Sequence, residues 1–84
     1  MTAQDLIDKG YENIVIFDNP SFDNCIIGIS TDNVAIYSYS KMIDWFSRTN
    51  NCTAEEALEF IEFNTLKSLP YIKNSPIVMD DIGD

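Results

Sequence analysis

Apolar positions change their period several times along this chain, and each change marks an element. Residues 53–69, TAEEALEFIEFNTLKSL, form the longest stretch of helical period. Ala54, Ala57, Leu58, Phe60, Ile61 and Leu69 recur at three- and four-residue steps, which predicts one core-facing stripe. Asn64, Thr65 and Ser68 fall in the same arc. Burying an asparagine is costly unless its amide is bonded, so Asn64 is expected to pin a neighbouring loop or strand, or else to present its amide in a pocket. Both ends are legible. Thr53 and Glu56 have the spacing of a capping box, Glu55 and Glu56 suit the positive end of the helix dipole, and Pro70 should stop the helix. On the opposite face Glu55, Glu59 and Glu62 make an acidic row that also contains Leu66, with Phe63 beside it between Glu56 and Lys67. Two apolar residues on a solvent face need cover. Another element of the chain is the commoner source, and a partner is the alternative.

Residues 2–9 read as a short helix with Thr2 as cap, Ala3, Leu6 and Ile7 on one face, and Gly10 at the left-handed exit. The β-branched run 13–17, NIVIF, predicts a strand. Residues 18–24 are turn formers with Phe22 near the tip, either tucked back as an anchor or exposed as a contact. Residues 25–30 and 34–39 predict two more strands joined by a tight turn at Asp32-Asn33, with a bulge or a close approach at Gly28. Tyr37 and Tyr39 would then share a strand face, covering a helix or stacking on a ligand. Ser40 should cap a helix over 41–49 whose stripe is Met42, Ile43, Trp45 and Phe46. The short link at residues 50–52 implies a compact helix pair. Residues 75–79 add a last strand with Pro76 at its start or on an edge, and residues 80–84 form an acidic tail expected to fray.

These elements assemble into one α+β domain spanning residues 1–84. The expectation is two layers, a three- to four-stranded, mainly antiparallel sheet packed by two or three helices. A chain of 84 residues has room for a single small core.

Charge changes the picture more than composition does. Fourteen acidic residues against five basic ones give a formal net charge of −9. That argues against direct contact with nucleic-acid phosphates and against an anionic membrane surface. It suits a protein partner with a basic surface, steered in by the field. No apolar run approaches the roughly eighteen residues of a spanning helix, and the first residues lack the features of a signal peptide, so a cytoplasmic location is expected. Cys25 and Cys52 are then expected as free thiols, Cys25 in the core.

The candidate chemistry is sparse. There is no histidine, no glycine-rich phosphate loop and no Cys-x-x-Cys pair. Glu59 and Glu62 could be imagined as paired carboxylates, but helical neighbours of this kind ordinarily face water. Asp18 and Asp23 lack the spacing of a calcium loop. No enzyme activity, cofactor or metal is therefore expected.

Residues 35–42 (AIYSYSKM), residues 53–66 (TAEEALEFIEFNTL) and Leu69-Pro70-Tyr71 resemble small uncharacterised proteins of bacteriophages and mobile elements of Gram-positive bacteria. The likeness covers roughly half of the chain and implies only a setting, since it carries no functional residue. In that setting the acidic face suggests an inhibitor of a host nucleic-acid-binding protein, of the anti-CRISPR or nucleic-acid-mimic kind. Its contact residues would be Glu55, Glu59, Glu62, Asp44, Asp80 and Asp81 for charge, with Phe63 and Leu66 for apolar contact. The alternative is a self-associating accessory protein that buries Phe63, Leu66 and an edge strand in a homodimer.

Overall fold

Thr2 opens the first helix, α1 (Ala3–Asp8), with a complete capping box. Its hydroxyl accepts from the Asp5 N–H at 3.2 Å, and its own N–H donates to the Asp5 carboxylate at 2.9 Å. That N–H holds the Asp5 carboxyl below its ordinary pKa. Gly10, at φ +96°, turns the chain out of the helix. In this computed structural model residues 2–11, 13–18, 21–71 and 73–80 are described. The expectations for Asn19, Pro20, the Ser68 side chain and residues 81–84 lie outside them.

The expected first strand is absent. Residues 14–18 carry no regular secondary structure and join no strand of the sheet. Their side chains pack instead of pairing: Phe17 is buried, and Ile14 rests against the core. The Phe17 N–H donates to the Tyr37 hydroxyl at 3.1 Å, so a side chain supplies the acceptor that a neighbouring strand would have offered. Beyond it, Phe22 settles the two readings of the loop. It is fully buried, in a left-handed conformation at φ 48°, and a 3₁₀ turn (Asp23–Cys25) follows at once. Asp23 in that turn accepts from the Ala3 N–H at 2.8 Å and so ties α1 to the loop.

The sheet has three strands in the order β1-β2-β3, with β1 at Ile26–Ile29, β2 at Ala35–Ser38 and β3 at Ile77–Met79. β1 and β2 are antiparallel, and the register slips between Ile26 and Gly28. Gly28 thus marks a bulge, as its place in the strand suggested. A Cβ there would meet nothing within 4 Å, so no large side chain crowds it. The turn is one residue longer than Asp32-Asn33 alone. Asn33 donates to the Ser30 carbonyl at 2.9 Å and only then swings to φ 62° before Val34 rejoins Ser30. This is the three-residue hairpin in which a single residue takes the left-handed position.

The mainly antiparallel expectation needs correcting at β3, which runs parallel to β2. Parallel neighbours require a crossover, and the whole helical stretch between Ser38 and Ile77 provides one. The sheet is therefore mixed.

The chain passes from β2 into α2 (Tyr39–Thr49) without a loop. For that reason the cap is Ser38, not Ser40: the buried Ser38 hydroxyl accepts from the Lys41 N–H at 3.3 Å. Tyr39 is consequently the first helical residue, and the tyrosines do not share a strand face. Asn51, at φ 52°, reverses the chain into α3 (Ala54–Phe60), which packs against α2. Ala54 is exposed; burial begins one turn later, at Ala57.

After Phe60 the helix widens into a π turn (Ile61–Thr65) and then tightens into 3₁₀ turns (Leu66–Tyr71). Pro70 sits within this last segment, so it ends the α geometry without ending the helical path. In a π turn each residue advances less around the axis, because the bond spans five residues, here from the Leu66 N–H to the Ile61 carbonyl. Everything downstream is rotated relative to a straight α-helix. Asn64 leaves the core arc and is exposed, its amide donating to the Phe60 carbonyl of its own helix at 3.1 Å. Thr65 takes the inward place.

Leu6, Phe17, Phe22, Cys25, Ile26, Ala35, Tyr37, Met42 and Ile61 form the buried cluster. Aromatic rings run through it in sequence. Phe17 lies 4.6 Å from Tyr37 and 6.1 Å from Phe22. Phe22 meets Trp45 at 5.3 Å and Phe46 at 6.4 Å, and Phe46 stacks on Phe60 at 4.4 Å.

Two stability predictions follow from this core. Phe22→Ala should cost about 3–5 kcal/mol in urea titrations. Because Phe22 occupies positive φ, Phe22→Gly should be no worse than Phe22→Ala, reversing the usual glycine deficit of about 0.5–1 kcal/mol. A clear further loss in the glycine variant would show that the left-handed backbone is not what the native state holds. Tyr37→Phe leaves the buried Phe17 N–H without its acceptor and should cost about 1–3 kcal/mol. Burial raises the Tyr37 pKa, so its contribution is full below the ordinary tyrosine pKa of about 10 and is lost as pH rises through the folded value. The alkaline fall in stability should therefore be shallower in Tyr37→Phe than in the native chain, and equal slopes would remove Tyr37 from that role.

Candidate interaction site

The capping box that starts α3 also sorts its carboxylates. The Thr53 N–H donates to Glu56 at 3.1 Å, and the Glu56 N–H donates back to the Thr53 hydroxyl at 3.1 Å. The Thr53 N–H holds the Glu56 carboxyl below its ordinary pKa, and this charge is committed to the cap. Glu55 and Glu59 stand exposed beside it. Glu62 is exposed too, but its carboxylate accepts from the Tyr39 hydroxyl at 3.1 Å.

Parallel pairing brings a fourth carboxylate to this group. Ser38 and Met79 are the last partners between β2 and β3, so the next residues, Tyr39 and Asp80, leave the sheet side by side. Tyr39 is pushed above the ordinary tyrosine pKa by burial first, then by its bond to Glu62 and the Glu62 charge, and then by the Asp80 charge. The phenol stays protonated and bridges from the first turn of α2 to the helix that carries the acidic row.

The two apolar members of the predicted face part company. The π turn carries Leu66 inward, where it is half-buried against the core. Phe63 stays outward and is 66% exposed, with the Lys67 ammonium 5.6 Å from its ring centre. At an exposed site such a contact contributes about 0.5 kcal/mol, too little to hide the ring. Asp44 lies on α2, where Arg48 engages its carboxylate in an ion pair with the second contact at 3.2 Å, so its charge is matched locally. Asp81 lies outside the described residues. Sequence reasoning missed Tyr39 as the link between Glu62 and Asp80, because that depends on a parallel return no local pattern announces. It also missed Ile77 and Met79, which are 42% and 43% exposed on β3.

Clefts lie elsewhere on the described surface. One, of about 390 Å³, runs along α2 and is lined by Asn24, Cys25, Lys41, Asp44, Trp45, Arg48 and Thr49. Burial raises the Cys25 thiol pKa to about 11, which keeps it protonated and poorly nucleophilic. Another, of about 240 Å³, is mostly apolar and lies between α1 and the segment after it, lined by Ala3, Leu6, Ile7, Tyr11, Ile14 and Ile16.

Comparison with protein-family models, with curated proteins and with solved structures finds no match. The geometry alone therefore carries the functional argument. Among the described residues no three His, Cys, Asp or Glu side chains gather closely enough to hold a metal ion, and no helix is long and apolar enough to cross a membrane. What the described surface does offer is a set of exposed carboxylates on α3 and its π turn, continued to Asp80 through Tyr39, with one bare aromatic ring beside them.

Glu62→Gln tests that continuity. Removing the charge and the carboxylate acceptor should lower the pH at which Tyr39 ionises, read as an earlier tyrosinate step in near-ultraviolet absorbance that is missing from Tyr39→Phe. An unchanged titration in Glu62→Gln would separate Glu62 from Tyr39.

Proposed function

We propose that the protein is a small, non-enzymatic interaction protein whose acidic face docks onto the basic surface of a protein partner. The observation that carries this reading is the row of exposed Glu55, Glu59 and Glu62 on α3 and its π turn, next to the exposed Phe63, with Asp80 acting on the same Tyr39 that bonds to Glu62. Carboxylates spaced along a helix present regular negative charge to a groove built for phosphates, and an uncovered ring supplies apolar contact at the same place. The net charge of −9 would speed encounter with a basic partner and repel nucleic acid.

The likeness of residues 35–42 and 53–66 to small phage and mobile-element proteins supplies the setting. There the partner is a nucleic-acid-binding protein of the bacterial host, in the cytoplasm, and the protein acts as its inhibitor in the manner of an anti-CRISPR or other nucleic-acid mimic. Asp44 and Asp81 would be secondary contributors. A two-layer build, helices over one face of the sheet, would hold the acidic side outward. The second reading, self-association as a homodimer, draws its support from Ile77 and Met79 on β3, with Phe63 and Leu66 as lesser contributors.

Capture from host lysate, after nuclease treatment, tests the first reading. The native chain should retain a basic nucleic-acid-binding protein in low salt and release it in high salt. Glu55→Gln, Glu59→Gln and Glu62→Gln combined should weaken that complex by at least about threefold, since each exposed charge pair is worth about 0.2–1 kcal/mol. Undiminished binding by the triple variant would sink the mimic.

A further inference from the structure

Among the described residues strand β3 ends the sheet and pairs with β2 alone. An unpaired strand edge offers its N–H and C=O groups to any extended chain, and proteins usually guard such edges with lysine, proline or a bulge. Here Pro76 precedes the strand, but Ile77, Val78 and Met79 carry neither charge nor proline. Val78 packs toward the core, while Ile77 and Met79 alternate with it on the uncovered side. The register extends that side across the sheet: Ile77 pairs with Ile36, and Ile36 with Gly28, beside which there is open space. An added strand would continue this row and cover Ile77 and Met79 with its own alternate side chains.

Charge selects the occupant. Asp80 directly follows the strand, and Glu62 accepts from Tyr39, which follows the neighbouring β2. A strand laid on this edge therefore ends beside Asp80, with Glu62 held near the end of the next strand. A second copy would bring another −9 to the contact, whereas lysine or arginine would be attracted to it. We infer that the outer edge of β3 accepts an extended segment of a partner, alternating apolar and basic residues, as a fourth strand whose cations reach Glu62 and Asp80. This rests on the acidic-face reading and names the part of the partner that the face would hold.

The test is a titration of the full ¹⁵N-labelled chain with a synthetic hexapeptide alternating lysine and valine, followed by amide shifts and hydrogen exchange. Two control peptides replace lysine by glutamate, or valine by serine. The expected result is shifts at Ile77 to Asp80, slowed exchange of the β3 amides, and little response to either control. Ile77→Thr with Met79→Thr preserves strand preference and should weaken the lysine–valine peptide at least fivefold. Thermal unfolding checks that this variant is folded, and the native titration stands without it. Shifts confined to Glu55 and Glu59, with β3 silent, would overturn the edge inference and leave the acidic-face reading standing. An equal response to the lysine–serine peptide would do the same, because charge alone would then suffice. Silence throughout overturns the edge inference, and the glutamine variants then judge the acidic face separately. Shifts in β3 that grow with protein concentration and no peptide would assign the edge to a second copy instead.

Discussion

Burial of the Phe22 ring is the interaction on which the rest of this fold leans. Its backbone is left-handed, which costs an L-residue about 1–2 kcal/mol. Full burial of a phenylalanine stabilises by about 1.5–3 kcal/mol, and edge or stacked ring pairs add about 0.5–1.5 kcal/mol each. Phe22 has such pairs with Phe17, Trp45 and Phe46, so attraction wins over strain. The outcome is structural as well as energetic. One ring joins the N-terminal segment to α2, and Phe46 passes the contact on to α3 through Phe60. The 3₁₀ turn and the Asp23 tie to α1 hang from the same point. Without this anchor, residues 14–18 would lose their link to α2 and keep the contacts of Phe17 with Tyr37.

The π turn plays the corresponding part for the surface. A straight helix would have buried Asn64 and left Leu66 beside the glutamates. Widening one turn exchanges these fates, exposing Asn64 and half-burying Leu66, while Thr65 stays inward and Phe63 outward. It leaves Glu62 within reach of Tyr39. The acidic face is thus a product of helix geometry as much as of composition. Straightening the helix would bury a polar amide and carry Leu66 outward.

Local chemistry was legible in the sequence, and long-range pairing was not. The cap at Thr2, the capping box at Thr53, the Gly10 exit, the stripe of Met42, Ile43, Trp45 and Phe46, and the Gly28 irregularity depend on neighbours a few residues apart, and each appears in the structure. The run 13–17 has every local mark of a strand, yet whether such a run pairs depends on which partner is free. Here β2 lies between β1 and β3, and the Tyr37 hydroxyl takes up the Phe17 N–H. Ser38 and Ser40 are both competent caps, and only the absence of a loop after β2 decides between them. For the candidate face, Glu55 and Glu59 were readable as exposed charge. The junction of Glu62, Tyr39 and Asp80 was not, since it needs the direction of a strand that follows a long crossover.

That direction also orders events in time. β1 and β2 are joined by a short turn and can meet as soon as both exist. β3 pairs with a strand that precedes the whole helical crossover, so this is the more distant of the two strand pairings and carries the larger loop-closure cost. During synthesis the helices emerge before their closing strand does. The face that carries Asp80 is then completed after them, and until β3 docks β2 presents a bare edge. A chain halted before β3 would keep its aromatic core and lose this site.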